Sequence, residues 1–413
     1  MGRKRVGFFK LTIRDVPIDH KVVLVRADYN VPLNKQGEIS DDLRIRASLP
    51  TLEYLLEHHC KVVVMSHLGR PDGREAAFSL EPIAERLREL TGRKVQFVDD
   101  VIGDKVIQAV KTAQEGSITL LENLRYYTEE EADDEAFASK IAKATGARYF
   151  VQDGFGVVHR AHASTHAITM CIPSVSGLLL EKEYETITKA MEAPERPLIA
   201  VMGGAKISDK ITVIERFVEV ADKIIIGGAM ANTFLAYKGH NMGASVMETN
   251  QTETLDRIYA AAKKKVGDVL VDEFIIIPTD IAVAKNTSMD SDRRSIALDE
   301  VAADDLALDI GDESIERMAR EVALAKTVVW NGTMGYAEIP AFAHGSARLA
   351  LSLATQPYTA SIIGGGDTAD FVLKWDSAKG ESFSHVSTGG GASLELMAGK
   401  KLPGIESLLN ARK

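Results

Sequence analysis

Short apolar runs alternate with amphipathic stretches along the whole chain of 413 residues. In the first half these runs end in charged or polar groups, and they lie at 22–30, 62–70, 118–125 and 148–156. In the second half they end in glycine, and they lie at 198–206, 224–232, 361–368 and 385–391. Apolar runs that alternate with helical patterns predict βαβ units and parallel sheets. The fold class is therefore α/β, and the length favours two domains.

Apolar residues at helical spacing predict helices between the strands. The predicted segments are 45–59, 80–91, 131–145 and a stretch near 393–398. A longer helix over 176–193 has one apolar face and is followed by Pro194 and Pro197. We interpret it as a connector between two domains, although it could also be a second helix within one large sheet. The tail at 402–410 contains Leu408 and Leu409, which need a docking site, and we expect it on the first domain.

Basic and polar side chains follow the strands of the first half. They are Asp28, Asn30, Arg44, His67, Arg70, Arg125 and Arg160, with His159 and His162 beside the last. Carboxyl ends of parallel strands meet at one edge of a sheet, and guanidinium groups suit phosphate and carboxylate oxygens. For any single arginine, the alternative is a solvated surface residue or the ion-pair partner of a nearby acidic residue. Together they predict a site for a small anion.

The glycine-rich strand ends of the second half predict backbone that approaches phosphate. Lys206 and Lys210 lie four residues apart, which predicts one face at the start of a helix and a cationic grip on phosphates. The segment 364–368 adds the carboxylate of Asp367 and the hydroxyl of Thr368, and a carboxylate beside phosphate is suited to Mg²⁺. Residues 387–395 predict a second anion-binding turn. Solvated lysines and turns without a ligand are the alternatives at each position.

Composition and charge narrow the class of protein. Hydrophobic residues make up 45% and charged residues 26%, as in ordinary globular proteins, and the net charge of −10 argues against nucleic acid as a partner. Cys60 and Cys171 both lie beside apolar runs and are predicted to be buried thiols. The basic N-terminus is followed by no apolar stretch of signal-peptide length, and no segment has the length of a membrane helix. We expect a cytoplasmic enzyme.

Other motifs fit the sequence less well. The P-loop pattern G-x-x-x-x-G-K-[ST] does not occur. Residues 364–369 fit G-x-G-x-x-[GA], but the next strand ends in another glycine turn where a dinucleotide site would have an acid. A dehydrogenase is therefore disfavoured. A metal site from His67, His159, His162 and His166 is conceivable, yet nothing in the spacing specifies one.

The motifs taken together resemble the phosphoglycerate kinase family. They include "VRADYNVP", "SHLGRP", "LLENLR", "FGVVHRAHAST", "GGAKISDK", "WNGTMGYAE", "GGGDT" and "FSHVSTGGGASLE", in the family's order over nearly the whole chain. The resemblance implies two Rossmann-like domains joined by a helix and hinge. It places a triose-binding domain at 1–176, the connecting helix at 177–193, a nucleotide-binding domain at 194–398, and a tail at 399–413 that returns to the first domain.

The resemblance also implies an activity: reversible, Mg²⁺-dependent phosphoryl transfer from 1,3-bisphosphoglycerate to ADP by a monomeric enzyme. The triose would be held by Asp28, Asn30, Arg44, His67, Arg70, Arg125 and Arg160. The nucleotide would be held by Gly204, Lys206, Lys210, Gly227, Gly228, Gly311, Asn331, Glu338, Gly365, Gly366, Asp367 and Thr368. Asp367 would bind the metal. The catalytic groups would be Arg44, Lys206, Lys210, Gly366 and Gly390.

The sequence departs from the family pattern near the implied nucleoside pocket and the basic site. Thr333 replaces a usual proline, Ala337 a frequent phenylalanine, and Asp312 a common proline, while Gln152 and Gly154 vary the usual "NDAFG". The main hypothesis is direct in-line transfer with domain closure and no phosphoenzyme. The alternative is a catalytically impaired metabolite-binding protein of the same fold.

Overall fold

The computed structural model describes residues 7–411. The chain forms two compact units, one that runs up to Glu185 and includes the residues from Lys400 onward, and one that comprises Thr186–Gly399.

Unit 1 is built on a six-stranded parallel sheet with the order β3-β4-β2-β1-β5-β6. Its strands are β1 (Val22–Arg26), β2 (Lys61–Met65), β3 (Val95–Val98), β4 (Ser117–Leu121), β5 (Tyr149–Gln152) and β6 (Ser174–Ser176). Alternate residues of each strand pack into different cores, since Val23 and Val25 belong to one apolar cluster and Leu24 to the other. Burial on both faces explains why these strands read as continuous apolar runs.

The helices of unit 1 comprise four that lie where the apolar spacing predicts them, with small shifts at their ends, and one after β3 for which the sequence gives no prediction. They are α1 (Leu43–Glu57), α2 (Glu81–Thr91), α3 (Asp104–Thr112), α4 (Glu135–Thr145) and the start of α5 (Leu178–Glu192). Helix α4 begins later than residue 131, because the Asp134 carboxylate caps it by accepting the Phe137 N–H at 2.6 Å. The boundary between the units falls within α5.

The C-terminal segment packs against the beginning of the chain, within unit 1. It contains the short helix α14 (Pro403–Glu406). The Lys10 ammonium donates to the carbonyl oxygens of Glu406 and Leu408 and to Asn410 Oδ1, at 2.6 Å, 2.9 Å and 2.8 Å. Leu408 is buried, whereas Leu409 stays 43% exposed. A buried lysine therefore holds this segment through its three N–H donors.

Unit 2 contains a second six-stranded parallel sheet, with the order β15-β14-β13-β7-β8-β9. Its strands are β7 (Leu198–Met202), β8 (Lys223–Ile226), β9 (Ile275–Ile276), β13 (Thr327–Asn331), β14 (Ala360–Gly364) and β15 (His385–Val386). Its helices are α6 (Ile211–Val220), α7 (Gly228–Tyr237), α8 (Thr252–Val266), α9 (Val271–Phe274), α10 (Asp312–Ala323), α11 (His344–Ala354), α12 (Gly366–Trp375) and α13 (Gly390–Met397). Two sheets rule out the alternative of one large sheet.

A small antiparallel sheet in unit 2 lies outside the predicted pattern. Its strands are β10 (Asp280–Ala284), β11 (Arg294–Ala297) and β12 (Leu306–Ile310), in the order β11-β10-β12. Strand β11 is short and mostly exposed, so it has no apolar run that a sequence pattern could detect.

The two cysteines differ in their environment. Cys60 is buried, as predicted, but Cys171 is exposed, so the prediction for Cys171 is wrong. The neighbouring Ile168 and Ile172 point into the core while Met170 and Cys171 lie on the outer side of the turn. In residues 7–411, no helix combines the length and the apolarity that crossing a membrane requires.

Candidate functional site

The predicted anion-binding residues of the first half lie at one edge of the unit 1 sheet. Strands β4, β2, β1 and β5 are consecutive in that sheet, and all are parallel. Their carboxyl ends lead to Arg125, to His67 and Arg70, to Asp28 and Asn30, and to Arg160, respectively. The chain reverses its direction of strand addition between β1 and β5, which is where open α/β sheets bind ligands.

Arg44 reaches the same edge from the first turn of α1. Its guanidinium donates to the Asn30 carbonyl oxygen at 2.8 Å and to Asp28 Oδ1 at 3.3 Å. Asn30 Oδ1 in turn accepts the Gly69 N–H at 2.8 Å, which joins the ends of β1 and β2. Burial raises the pKa of Asp28, but the charge of Arg44, with the Asn30 N–H and Arg26, lowers it more, so this pKa is below its usual value. Asp28 is therefore an ionised group that fixes Arg44.

His67 is neutral in this site. Burial and the neighbouring arginines, against the opposing effect of Asp28, lower the pKa of His67 well below its usual value. Its Nδ1 lies 3.2 Å from Arg26 Nη2, which can only donate, so the ring proton is on Nε2. His67 therefore offers a hydrogen-bond donor to an anion rather than a positive charge.

Arg26 belongs to this site although the sequence analysis did not select it. It is the last residue of β1 and is fully buried, with its Nε 2.7 Å from Ser164 Oγ and its Nη2 3.8 Å from Glu130 Oε1. Ser164 also donates to Glu130 at 2.6 Å. The signal was present in the sequence, because an arginine within an apolar strand must have a partner when it is buried.

Arg70, Arg125 and Arg160 complete this edge, and Arg70 is exposed whereas the side chain of Arg125 is nearly buried. Arg125 donates to the Gly69 carbonyl oxygen at 2.6 Å and pairs with Glu131 at 3.0 Å. Burial lowers the pKa of Arg125, Glu131 opposes this, and Arg160 and Arg70 lower it further. The cluster holds five arginines, Arg26, Arg44, Arg70, Arg125 and Arg160, against the carboxylates of Asp28, Glu130 and Glu131. An excess of cations that are fixed by hydrogen bonds suits a small polyanion.

In unit 2 three turns cross at the carboxyl ends of β7, β8 and β13. The Gly204 N–H donates to the Thr333 carbonyl oxygen at 2.9 Å, and the Gly228 N–H donates to that of Met334 at 2.8 Å. A Cβ on Gly228 would lie 2.6 Å from Gly204 N, and its φ of +63° is left-handed. Glycine is thus required where these backbones meet. Strand addition reverses between β7 and β13, as expected for a ligand site.

Lys210 lies at this crossing, but the predicted arrangement of the two lysines is wrong. Its ammonium donates to the carbonyl oxygens of Gly203 at 2.8 Å and Asn331 at 3.2 Å. Helix α6 starts only at Ile211, so Lys210 precedes it and the exposed Lys206 lies in the turn before. They share no helix face, because this turn is held in a non-helical conformation. Burial lowers the pKa of Lys210 to about 8, and Asp367 and Asp209 oppose the shift.

Two helix N-termini lie side by side at the ends of β14 and β15. Helix α12 starts at Gly366 and α13 at Gly390, and a Cβ on Gly390 would lie 3.0 Å from Gly366 N. N-terminal amides attract anions, so the adjacent helices offer N–H groups to one phosphate. Asp367 is exposed in the first turn of α12. Thr368 is buried, and its hydroxyl accepts the Gly332 N–H at 2.6 Å, which makes it a support of the turn.

The remaining predicted nucleotide residues lie around these turns. The buried Asn331 is the last residue of β13, and its backbone carbonyl oxygen accepts the Gly203 N–H at 2.9 Å. Gly227 lies under Met334, since a Cβ there would lie 2.2 Å from the Met334 methyl group. Gly311 is the N-cap of α10, and its N–H donates to the Asp280 carbonyl oxygen at 3.0 Å. Glu338 is exposed, two residues after Tyr336, whose N–H bonds to Leu308 of β12.

The departures from the family pattern leave the backbone of the site intact. Thr333 contributes its carbonyl oxygen, which any residue provides. Asp312 pairs with Arg293 at 2.7 Å on the outside of α10. Gly154 packs closely, because a Cβ there would lie 3.2 Å from the Ala27 carbonyl carbon. Among the described residues no three histidine, cysteine or acidic side chains could hold a metal ion together, so the four-histidine site is not formed.

The comparisons with known proteins agree over nearly the whole chain. The phosphoglycerate kinase family profile matches residues 13–400. The phosphoglycerate kinase of Desulforudis audaxviator is 45% identical over 402 residues, which cover 97% of this chain and 99% of the relative. The phosphoglycerate kinase of a Nostoc species is 45% identical over 411 residues and 99% of both chains.

Solved structures are similar as well. The phosphoglycerate kinase of Coxiella burnetii superposes with a TM-score of 0.81 at 34% identity, covering 96% of this chain and 98% of that one. The enzyme of Pyrococcus horikoshii gives a TM-score of 0.82 at 30% identity with the same coverage. These findings support the catalytic function and give no support to an impaired binding protein. The chain therefore belongs to the phosphoglycerate kinase family, and it is a kinase that uses ATP and ADP.

Proposed function

We propose that the arginine-rich edge of unit 1 binds the triose substrate and that the crossing turns of unit 2 bind the nucleotide. The observation that carries the proposal is the excess of arginines over carboxylates at the unit 1 edge. In unit 1, Arg70, Arg125 and Arg160 would hold the phosphate of 3-phosphoglycerate. Asp28, Asn30 and His67 would orient Arg44 and the triose hydroxyl and carboxyl groups.

In unit 2 the roles follow from the same distances. Lys210 lies between the ends of β7 and β13, so its ammonium would contact the nucleotide phosphates. Lys206 is exposed and would reach the transferring phosphoryl group. Gly204, Gly228 and Gly365 would let the backbone approach the phosphates, while Gly227, Gly311 and Asn331 would shape the nucleoside pocket. Glu338 would accept hydrogen bonds from the ribose hydroxyls.

The residues present fit Mg²⁺ as the metal of the reaction. Asp367 is an exposed carboxylate in the first turn of α12 and interacts electrostatically with Lys210. Mg²⁺ usually takes one or two carboxylates, phosphate oxygens and water, so a single Asp is sufficient. When bound, the ion would neutralise part of the phosphate charge. Asp367 would hold it, and Lys210 would neutralise a further part of that charge.

The chemistry needs positioning more than proton transfer. The carboxylate of 3-phosphoglycerate is already ionised at neutral pH, so it attacks without a general base. Arg44, Lys206 and the N-terminal amides at Gly366 and Gly390 would hold the transferring group in line between the two oxygens. This arrangement gives direct transfer without a phosphoenzyme. The triose and nucleotide must also meet, so we expect the units to close on each other when both ligands bind.

Small-angle scattering tests closure. We expect the radius of gyration to fall when 3-phosphoglycerate and ADP are both present, and an unchanged radius would contradict closure.

Sedimentation tests the monomeric state that we propose, and fractionation of cells tests the cytoplasmic location that we propose.

A coupled assay tests the function itself. The mixture contains 3-phosphoglycerate, MgATP, glyceraldehyde-3-phosphate dehydrogenase and NADH, and NADH absorbance is followed. We expect loss of NADH that depends on both substrates and on this protein. Absence of a signal with ATP and also with GTP would contradict the proposal and favour a binding protein. Removing Mg²⁺ with a chelator should abolish the signal. Asp367→Asn should raise the Mg²⁺ concentration that half-maximal activity requires.

A further inference from the structure

One acidic side chain outside the described site holds the turn that carries Lys206. Glu248 lies in the connection between α7 and α8. Its Oε2 accepts the N–H of Ile207 at 2.6 Å and that of Ser208 at 3.0 Å, and its Oε1 accepts the Ser208 hydroxyl at 2.5 Å. All three contacts span about forty residues of sequence.

The turn has few other attachments. Gly204 at its start bonds to Thr333 and Met230, and Lys210 at its end bonds to Gly203 and Asn331. Between these two residues, the hydrogen bonds that the described structure gives to the rest of unit 2 all end on Glu248. The side chain of Ile207 is buried and adds an apolar anchor. Glu248 is thus the polar tether of an otherwise exposed turn.

Glu248 is itself fixed to the helix that begins in the nucleotide site. Its own N–H donates to Thr233 Oγ1 at 3.0 Å, and Asn232 Nδ2 donates to the Val246 carbonyl oxygen at 3.0 Å. Thr233 and Asn232 are buried residues of α7, which starts at Gly228. On its other side the segment bonds to β12 through Ser245 Oγ, which accepts the Ala307 N–H at 2.8 Å. Glu248 therefore links the Lys206 turn to the Gly228 turn.

The charge of Glu248 is compatible with this task. Burial raises its pKa, but the Ser208 hydroxyl, the Ser208 and Ile207 amides and Lys206 lower it more, so the carboxyl stays ionised. The ionised group accepts hydrogen bonds strongly, and it lies close enough to Lys206 to attract its ammonium.

We propose that Glu248 is a positioning residue that holds the Lys206 turn in the conformation that binds nucleotide phosphates. It does not contact the substrate. Without it, the turn would have to be ordered at each binding event, and that ordering weakens binding. This inference rests on the role proposed for Lys206. It predicts a selective effect on the nucleotide, because the triose site belongs to the other unit.

Kinetics of three variants provide the first test. Glu248→Ala removes all three contacts, and we expect the KM for ATP to rise on the order of 10-fold, because the turn must then be ordered when the nucleotide binds. We expect kcat to fall as well, because the proposed role of Lys206 is to hold the transferring group. The KM for 3-phosphoglycerate should stay unchanged. Glu248→Gln keeps an oxygen for the two amides and an NH₂ group that can donate to Ser208 Oγ, so it should restore most of the ATP affinity. Glu316→Ala removes a surface pair with Arg348 in the same unit and is the control.

Amide hydrogen exchange without ligands provides the second test, and it does not depend on activity. We expect the amides of Ile207 and Ser208 to exchange at least about 10-fold faster in Glu248→Ala than in the wild type, while β7 and β13 keep their protection. Unchanged exchange at these amides would overturn the inference. Equal increases in KM for ATP and 3-phosphoglycerate would also overturn it. Faster exchange with unchanged KM for ATP would instead show that the tether exists and that the role of Lys206 is wrong.

If Glu248→Ala fails to fold, Glu248→Gln and Ser208→Ala replace it. Ser208→Ala removes one contact and should raise the KM for ATP by a smaller factor than loss of all three. Wild-type exchange and a wild-type KM for ATP in Ser208→Ala, after thermal denaturation has shown that it is folded, would overturn the inference.

Discussion

The anion sites that we propose in the two units are built by different means. Unit 1 uses side chains: Arg26, Arg44 and Arg125 are each fixed by a carbonyl, a carboxylate or a neighbouring ring. Unit 2 uses backbone: glycines allow three turns to cross, and two helix N-termini lie together. Side chains that are fixed in position suit one small rigid anion, whereas open amides suit the flexible phosphate chain of a nucleotide.

The difference also appears in the response to protons. The charges at the unit 1 edge come from arginines, which stay charged at any ordinary pH, and His67 there is neutral. Unit 2 relies on Lys210, whose pKa burial has lowered to about 8. Nucleotide binding should therefore respond to mildly alkaline pH, whereas triose binding should not.

The largest effect is expected from Arg44→Ala, which removes a unit 1 cation from the transferring group. We expect kcat to fall on the order of 10²-fold or more, because a fixed positive charge at the transition state is lost. Steady-state kinetics in the coupled assay measure it. Arg46→Ala is the control, since Arg46 lies on the same helix and pairs with Asp42 at 2.7 Å. A near-normal kcat for Arg44→Ala would remove Arg44 from the catalytic groups.

A smaller effect, confined to the nucleotide, is expected from Gly228→Ala. The added Cβ would lie 2.6 Å from Gly204 N and 2.8 Å from the Thr333 carbonyl oxygen, so the crossing must open. We expect ADP to bind about 10-fold more weakly or worse by titration calorimetry, with unchanged binding of 3-phosphoglycerate. Gly239→Ala is the matched control, because its φ is +93° but no atom lies within 4 Å of the added Cβ. Equal ADP affinity in both variants would contradict a backbone-built site.

The titration of Lys210 tests the same difference between the two units. In the free protein its pKa is about 8, and negative phosphates beside it should raise that pKa. ADP binding between pH 8 and 9 should therefore take up protons, and the affinity should fall as pH rises through this window. Calorimetry in two buffers of different ionisation enthalpy measures the uptake. The uptake should vanish in Lys210→Met, and uptake that persists there would assign it to another group.

The last effect is on stability rather than on activity, and it concerns a feature that the units share. Asp153 accepts the Leu179 N–H at 3.0 Å at the start of α5, and Asp309 accepts the Gly345 N–H at 3.0 Å in the first turn of α11. Burial raises the pKa of each carboxyl from 3.8 to about 7. Between these values the folded protein holds a proton that the unfolded chain has lost, so the free energy of unfolding falls as pH rises.

Asp153→Asn and Asp309→Asn should each flatten this dependence between pH 4 and pH 7, by up to about 4 kcal/mol. Urea unfolding at several pH values measures it, with the wild type in parallel. Equal slopes in the wild type and both variants would show that neither carboxyl holds a proton in the folded state.

Much of the fold and part of the site could be predicted from local sequence. Doubly buried strands read as apolar runs, and the segment after each strand marks the ligand edge, which is how the sequence predicts Arg125 and, with the glycine turn after β7, Lys210. Arg26 was missed because it lies inside an apolar strand, and its partner Glu130 is distant in sequence. The prediction that Lys206 and Lys210 share a helix face fails for a similar reason. Glu248 accepts the N–H groups of Ile207 and Ser208 and holds them outside the helix. Long-range polar contacts leave little trace in local periodicity.

The most direct test of the division between the units is hydrogen exchange with each ligand alone. We predict that 3-phosphoglycerate protects the amides around Asn30, Gly69 and Arg125, and that ADP protects those around Gly204, Gly228 and Gly366. The account would be contradicted if ADP protected the unit 1 edge, or if 3-phosphoglycerate protected the glycine turns of unit 2.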